Sequence, residues 1–261
     1  MLMSYIKNNK KILLSLVCLT FLFGCQEVID FPLKESEKIP VIEAVLDMHT
    51  GICKVKVSQT QSLKEKEASP DLSGLELSLQ YDNTISKDFK ESEKGTYVAE
   101  KINTSPGKTY TLVIKKLMGQ EYRANAIAPN LVIPEVDTVL NYTSGGTVLD
   151  FKWKDPQNQN NYYRPIILLN KVPQKSWFNI TSDQGQNGNT MSANFYLNLK
   201  KNDEVVIQLQ NLDAVSFQYY EQLFNLNFED QLPYNPKNNF DKPTTGVFSI
   251  INYQPIKIRL K

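Results

Sequence analysis

Leu75-Glu76-Leu77-Ser78-Leu79-Gln80-Tyr81 is the stretch that decides the fold. Leu75, Leu77, Leu79 and Tyr81 alternate with Glu76, Ser78 and Gln80. Successive side chains of a strand point to opposite faces, so this spacing puts one apolar face on a core and one polar face in water. A helix would throw Leu77 to the side opposite Leu75 and Leu79. The same period runs outward in both directions. Upstream, Val41-Ile42-Glu43-Ala44-Val45-Leu46 reads as a strand, Met48-His49-Thr50-Gly51 as its turn, and Ile52–Gln59 as the return. Thr60–Ser73 is polar and charged and reads as an exposed loop. Downstream, a charged run precedes a strand starting at Gly95-Thr96-Tyr97-Val98. Ser105-Pro106-Gly107 carries turn residues, Tyr110–Ile114 alternates again, and Met118-Gly119-Gln120 turns the chain into Glu121–Ala128. Short strands separated by turns at this spacing are the mark of a β-sandwich.

Pro129 and Pro134 bracket a connector, after which the pattern resumes as a second β-rich unit. Asp137–Tyr142 starts it, Leu149, Phe151 and Trp153 alternate, and Tyr162–Asn170 forms a strand in which Pro165 indicates an edge or a bulge. Ser176–Ile180 and Met191–Leu199 flank a Gly/Asn/Gln-rich loop, and Glu204–Gln210 is a further strand. The period then changes. Leu212, Val215, Tyr219, Leu223 and Phe224 recur at three- and four-residue steps behind Asp213, which predicts a helix over Ala214–Asn225 with Asp213 as N-cap. A Pro/Asn-rich loop follows, and Gly246–Asn252 and Pro255–Leu260 close the chain as strands. The expected fold is mainly β: a sandwich over residues 39–131, then a second β-rich domain over 132–261 with one short helix.

The first 25 residues read as an address. Met1–Lys11 holds Lys7, Lys10 and Lys11 and no acid; Ile12–Phe23 is almost wholly apolar. A run of about a dozen residues is too short for the roughly 20 that a spanning helix needs, and it fits the apolar region of a signal peptide. Leu22-Phe23-Gly24-Cys25 resembles the bacterial lipobox, in which the peptide is cut before the Cys and the Cys is acylated. The expected layout is a signal peptide over residues 1–24, lipid on Cys25, and a tether over 25–38. Cleavage removes three lysines and no acid from a chain with 29 Lys+Arg and 28 Asp+Glu, turning a net charge of +1 into two net negative charges. Gln26 stands where an inner-membrane retention signal has Asp, and Glu27 and Asp30 follow as acids near the lipidated Cys. The outer membrane is therefore the expected location, with the cell surface as the expected face and the periplasmic face as the alternative.

Composition excludes other classes. A balanced charge argues against a nucleic-acid binder. One His, one Cys beyond the lipidated position and no phosphate-binding glycine loop leave little for metal, thiol or nucleotide chemistry, so neither catalytic residues nor a cofactor are assigned. His49 falls in a turn. Cys53 alternates with Lys54 and Lys56 on the side of Val55 and Val57 and reads as a core thiol. Asp183 with Asn187 and Asn189 supplies oxygens of the kind Ca²⁺ takes, but only one carboxylate. Trp177, Phe178 and Tyr234 are the candidate contacts for a partner or for a glycan or peptide ligand. Asp137-Thr138-Val139 matches a short O-glycosylation pattern of Bacteroidota.

Several stretches together resemble one family. They are Cys25-Gln26-Glu27-Val28-Ile29-Asp30-Phe31, Pro40–Asp47, Gly95-Thr96-Tyr97, Pro106–Leu112, Glu121-Tyr122-Arg123-Ala124, Tyr219–Leu223, Tyr234-Asn235-Pro236 and Gly246-Val247-Phe248. The resemblance is to Bacteroidota lipoproteins of unknown function, domain of unknown function 4249, often found near TonB-dependent outer-membrane receptors. It implies an immunoglobulin-like or carboxypeptidase-regulatory-like sandwich followed by a second β-rich domain. It supplies no catalytic residues. The expected role is a non-enzymatic accessory or binding subunit of an outer-membrane barrel. The alternatives are a structural subunit or adhesin that binds only proteins, and a glycan-active enzyme with two convergent carboxylates.

Overall fold

The computed structural model describes residues 37–62, 72–81, 85–143, 146–174, 180–200, 202–226 and 234–259. The first unit is built from β1 (Pro40–Asp47), β2 (Ile52–Gln59), β3 (Glu76–Tyr81), β4 (Ile85–Asp88), β5 (Lys90–Glu93), β6 (Thr96–Ala99), β7 (Thr109–Leu117) and β8 (Gln120–Ile127). One sheet contains the order β1-β2-β6-β5, the other β4-β3-β7-β8. These are the A-B-E-D and C′-C-F-G orders of an immunoglobulin sandwich. Alternation fills the space between the sheets: Ile42, Ala44 and Leu46 from β1, Cys53, Val55 and Val57 from β2, and Leu77, Leu79, Leu112 and Ile114 from the opposite sheet are all buried. Lys54 and Lys56, between the buried positions of β2, face out. The fold also has a tyrosine corner. Tyr110 near the start of β7 is buried, and its Oη accepts from Ser105 N at 3.0 Å and donates to Asn103 O at 3.4 Å.

Two strands of this unit lie where the sequence showed only charge. β4 and β5 are separated by Phe89 and belong to different sheets, so the chain changes sheet there. All four residues of β5 are exposed. An edge strand with water on both faces needs no apolar alternation, and its charges discourage pairing with other chains.

The second unit comprises β9 (Glu135–Thr143), β10 (Gly146–Lys154), β11 (Tyr162–Leu169), β12 (Val172–Pro173), β13 (Thr181–Ser182), β14 (Thr190–Leu197), β15 (Glu204–Leu212) and β17 (Ile256–Arg259). One sheet has the order β14-β10-β9; the other has β12-β11-β15-β17, with β13 beside β11. Leu149, Phe151 and Trp153 from β10 meet Tyr163 and Ile167 from β11 and Ile207 and Leu209 from β15 in a separate core. Pro165 opposes Leu209, and on its other side β11 is paired by β13 only at Tyr162–Tyr163 and by β12 only at Leu168–Leu169. The proline sits in the open stretch between them, where an absent N–H costs no ladder bond. The reading of Ser176–Ile180 as a strand falls mostly on residues outside those described.

Helix α1 (Ala214–Asn225) occupies the residues its periodicity indicated, and Asp213 caps it by accepting from Ser216 N at 2.7 Å. After it the chain does not stay with the second core. β16 (Thr245–Ile251) returns to the first unit and pairs parallel with β1, from Val41 opposite Thr245 to Asp47 opposite Ile251. A division at residues 131 and 132 therefore leaves the first sheet one strand short. Phe248 and Ile250 enter the first core, while Ile251 joins Leu212 and Tyr253 in a small cluster with Phe217 and Tyr220 of the helix. Burial on both faces is why β16 reads as a nearly continuous apolar run rather than an alternating one. The segment just before it closes the other sheet: Phe240 bridges Ala124, Asp241 N donates to Arg123 O at 2.9 Å, and Asn239 Nδ2 donates to Asn125 O and Phe248 O, each at 2.8 Å.

Candidate functional site

Of the residues favoured by sequence, only Tyr234 falls among the described ones. Cys25, Trp177 and Phe178 lie outside the described residues. Tyr234 is 39% exposed, and its hydroxyl donates to Gln222 O at 2.9 Å, so this residue is fastened to the last turn of the helix. His49 serves its turn: its N–H donates to Asp47 Oδ1 at 2.9 Å and its ring lies 5.2 Å from that of Tyr253. Tyr253 in turn donates to Asp47 Oδ2 at 3.0 Å. Burial pushes the Cys53 thiol up, away from the reactive thiolate. Asn187 turns its Nδ2 to Asp183 Oδ2 at 3.0 Å and its Oδ1 to Asn158 N at 2.9 Å, so its side chain is already committed on both ends. Asp155, buried nearby, accepts from the Tyr163 hydroxyl and from Gly188 N, which ties the two loops of the second unit together. Among the described residues no cluster of three or more His, Cys, Asp or Glu side chains could hold a metal.

What the structure does assemble is a cleft at the seam of the two units. Its frame is polar. The main chains of Asn211 and Asn252 exchange hydrogen bonds of 2.8 and 3.2 Å. Their side chains then pin the connector, Asn252 Nδ2 to Pro129 O at 2.9 Å and Asn211 Nδ2 to Val132 O at 3.3 Å. Asp213 joins a third part: besides capping the helix it accepts from Ile127 N, at the end of β8, at 3.3 Å. Burial raises the pKa of its carboxyl, against the opposing pull of the Ser216 and Ile127 hydrogen bonds.

Above this frame lies a cleft of about 350 Å³. Ile127, Pro129, Tyr162 and Leu212 give it apolar walls, and Gln159, Asn160 and Asn161 form its rim. The ring of Tyr162 is held by Phe217, with centroids 4.9 Å apart. Sequence reasoning passed over this place because its parts come from a connector, a polar loop and a helix start, none with a motif of its own. The only advance signal was the amide-rich composition of Gln157–Asn161.

Two β-sandwiches, one of immunoglobulin type, joined by a returning strand and carrying a polar-rimmed cleft at their seam, define a two-unit β protein. The chain belongs to the family described as "Domain of unknown function (DUF4249)", which matches residues 26–256. No curated protein matches it. Among solved structures it is similar to a DUF4785 family protein from Legionella pneumophila, at 8% identity and a TM-score of 0.25, over 69% of this chain. The match spans 54%, about half, of that structure's length.

Proposed function

We propose that this protein is a lipid-anchored outer-membrane lipoprotein that works as a non-enzymatic binding subunit beside a TonB-dependent or similar barrel. The observation that carries the reading is Leu22-Phe23-Gly24-Cys25, set behind a basic start and a short apolar run. The resemblance to surface lipoproteins and the chemistry of the folded part support it: His49, Asp155, Asp183 and Cys53 are each engaged in turns, loop ties or core. Acyl chains contribute about 0.8 kcal/mol per buried methylene, so several on one Cys hold a protein at a membrane without a spanning helix. Confinement to the membrane plane raises the local concentration near a barrel, so a modest interface suffices.

The test is Cys25→Ala together with a block of lipoprotein signal peptidase. The reading requires both to shift the apparent size and to release the protein from membranes, and the unaltered protein to co-purify with a barrel from gently solubilised outer membranes. Unchanged membrane association, or recovery of the protein with no partner, overturns it.

A further inference from the structure

The seam cleft has a lining that selects a ligand class. Among the described residues no Lys or Arg lines it, and its one carboxylate, Asp213, accepts from Ser216 N and Ile127 N. Anions therefore find no counter-charge there, and a cation finds a single carboxylate that already holds two backbone N–H groups. What remains is a set of carboxamides over apolar walls, two of them already joined by Asn130 Nδ2 donating to Gln159 Oε1 at 3.1 Å. A carboxamide offers both a donor and an acceptor, which matches a hydroxyl that does the same. The apolar walls of Ile127, Pro129 and Tyr162 match the C–H face of a sugar ring.

A second observation points to the same place. Buried polar atoms are nearly always partnered. Among the described residues, five buried side-chain polar atoms have no hydrogen-bond partner, and two of them are Asn161 Oδ1 and Asn211 Oδ1. Both residues line this cleft, and Asn211 is only 3% exposed. Asn211 is fixed by its Nδ2 contacts, and Asn161 Oδ1 is itself buried, so it becomes an acceptor for a ligand only as its side chain turns on seating. The volume of about 350 Å³ stands near the lower end of the roughly 300–1,000 Å³ of small-molecule sites.

We infer that the seam cleft is a binding site for a neutral saccharide of one or two rings, held by Gln159, Asn160 and Asn161 over the Tyr162–Ile127 wall. The inference deepens the binding role proposed above and rests on it for its biological setting. The cleft itself can be read in purified protein, with or without lipid or a barrel.

The experiment is a protein-observed NMR titration of the purified full chain. The probes are neutral hexose and N-acetylhexosamine mono- and disaccharides, with glucuronate, glucosamine and trialanine as controls. Binding of at least one neutral saccharide with a Kd below about 10 mM is expected, with shifts centred on Gln159–Tyr162 and Ile127. Asn160→Ala combined with Gln159→Ala weakens it about tenfold, the loss of one to two hydrogen bonds. Ala214→Gln, at the exposed first position of the helix, fills the cleft while leaving the cap in place and abolishes binding with an unchanged melting temperature. No binding across the neutral panel, preference for a charged control or the peptide, or saccharide binding indifferent to both variants overturns the inference. Loss of membrane anchoring or of a barrel partner leaves this titration unaffected, so the two readings fail separately.

Discussion

Gly246 is the second residue of β16, and its substitution tests whether the return of that strand to β1 is a tight structural joint. Its φ is +103°, and it pairs with Ile42 in the parallel ladder. A Cβ added there would stand 2.0 Å from Ile42 O and 2.6 Å from Ile42 C. Both obstacles are backbone, so no side-chain rotation relieves them. Reaching an ordinary contact means opening β16 from β1 by roughly 1.4 Å, which carries ladder bonds of about 2.9 Å beyond hydrogen-bonding range. Two or three bonds at about 1 kcal/mol each, with about 1–2 kcal/mol for an L-residue at positive φ, give a loss of about 3–5 kcal/mol for Gly246→Ala. For a domain pair of this size that is a fall in Tm of about 6–20 °C. Gly107 supplies the control. Its φ is +75°, yet nothing lies within 4 Å of its added Cβ, so Gly107→Ala bears the backbone cost of about 1–2 kcal/mol alone. Thermal melts followed by circular dichroism, with urea titrations for the free energies, separate the two effects. A Gly246→Ala protein that melts within about 3 °C of Gly107→Ala would refute the reasoning, because the packing contribution would then be missing.

Three further outcomes follow from the same structure. Tyr110→Phe removes the hydroxyl that ties β7 to Asn103 and Ser105 and lowers stability by about 1–2 kcal/mol in urea titration, while near-ultraviolet spectra keep their folded form. Asp213→Ala loses the helix cap and costs about 1–2 kcal/mol at pH 7, whereas Asp213→Asn keeps a capping oxygen. The folded-state pKa of Asp213 is raised, so the folded protein holds a proton that the unfolded chain has released. Wild-type stability relative to Asp213→Asn therefore falls as pH rises from the unfolded carboxylate value to the raised folded one, then levels; an opposite slope in paired urea titrations would contradict the burial of this carboxyl. Cys53 resists thiol reagents in the native protein, and its labelling rate follows global unfolding as urea is added; fast labelling without denaturant would contradict its place in the core.

The sequence spoke clearly wherever one face of an element meets a core. β2 and β3 alternate because they are wet on one side, and α1 announced itself by a change of period and by Asp213. It was silent on elements whose surroundings are uniform. β5 is exposed throughout and reads as a charged loop; β16 is buried on both faces and reads as an apolar run with no partner named. Nothing local in Gly246–Ile251 tells that its ladder partner lies some 200 residues earlier. The seam cleft was hidden for a related reason. Asn161, Asn211, Asp213 and Ile127 are ordinary residues of a loop, a strand end, a cap and a strand end, and they acquire a shared meaning only when the returning strand fixes where the two units meet.

The placement of β1 has a mechanical side. β1 (Pro40–Asp47) is the first of the described strands, so tension applied at its N-terminal end acts along its axis. β1 is flanked by β2 over eight register positions and by β16 over seven. Its hydrogen bonds run across the direction of pull, so they are loaded together, in shear, rather than unzipped one by one. Without β16 the strand would be held on one side only. A pull on the N-terminal end of β1 thus meets a strand clamped between two neighbours, one of them contributed from about 200 residues later in the chain. Its lifetime under load is then set by the rate at which that clamp slips rather than by the equilibrium stability of either sandwich.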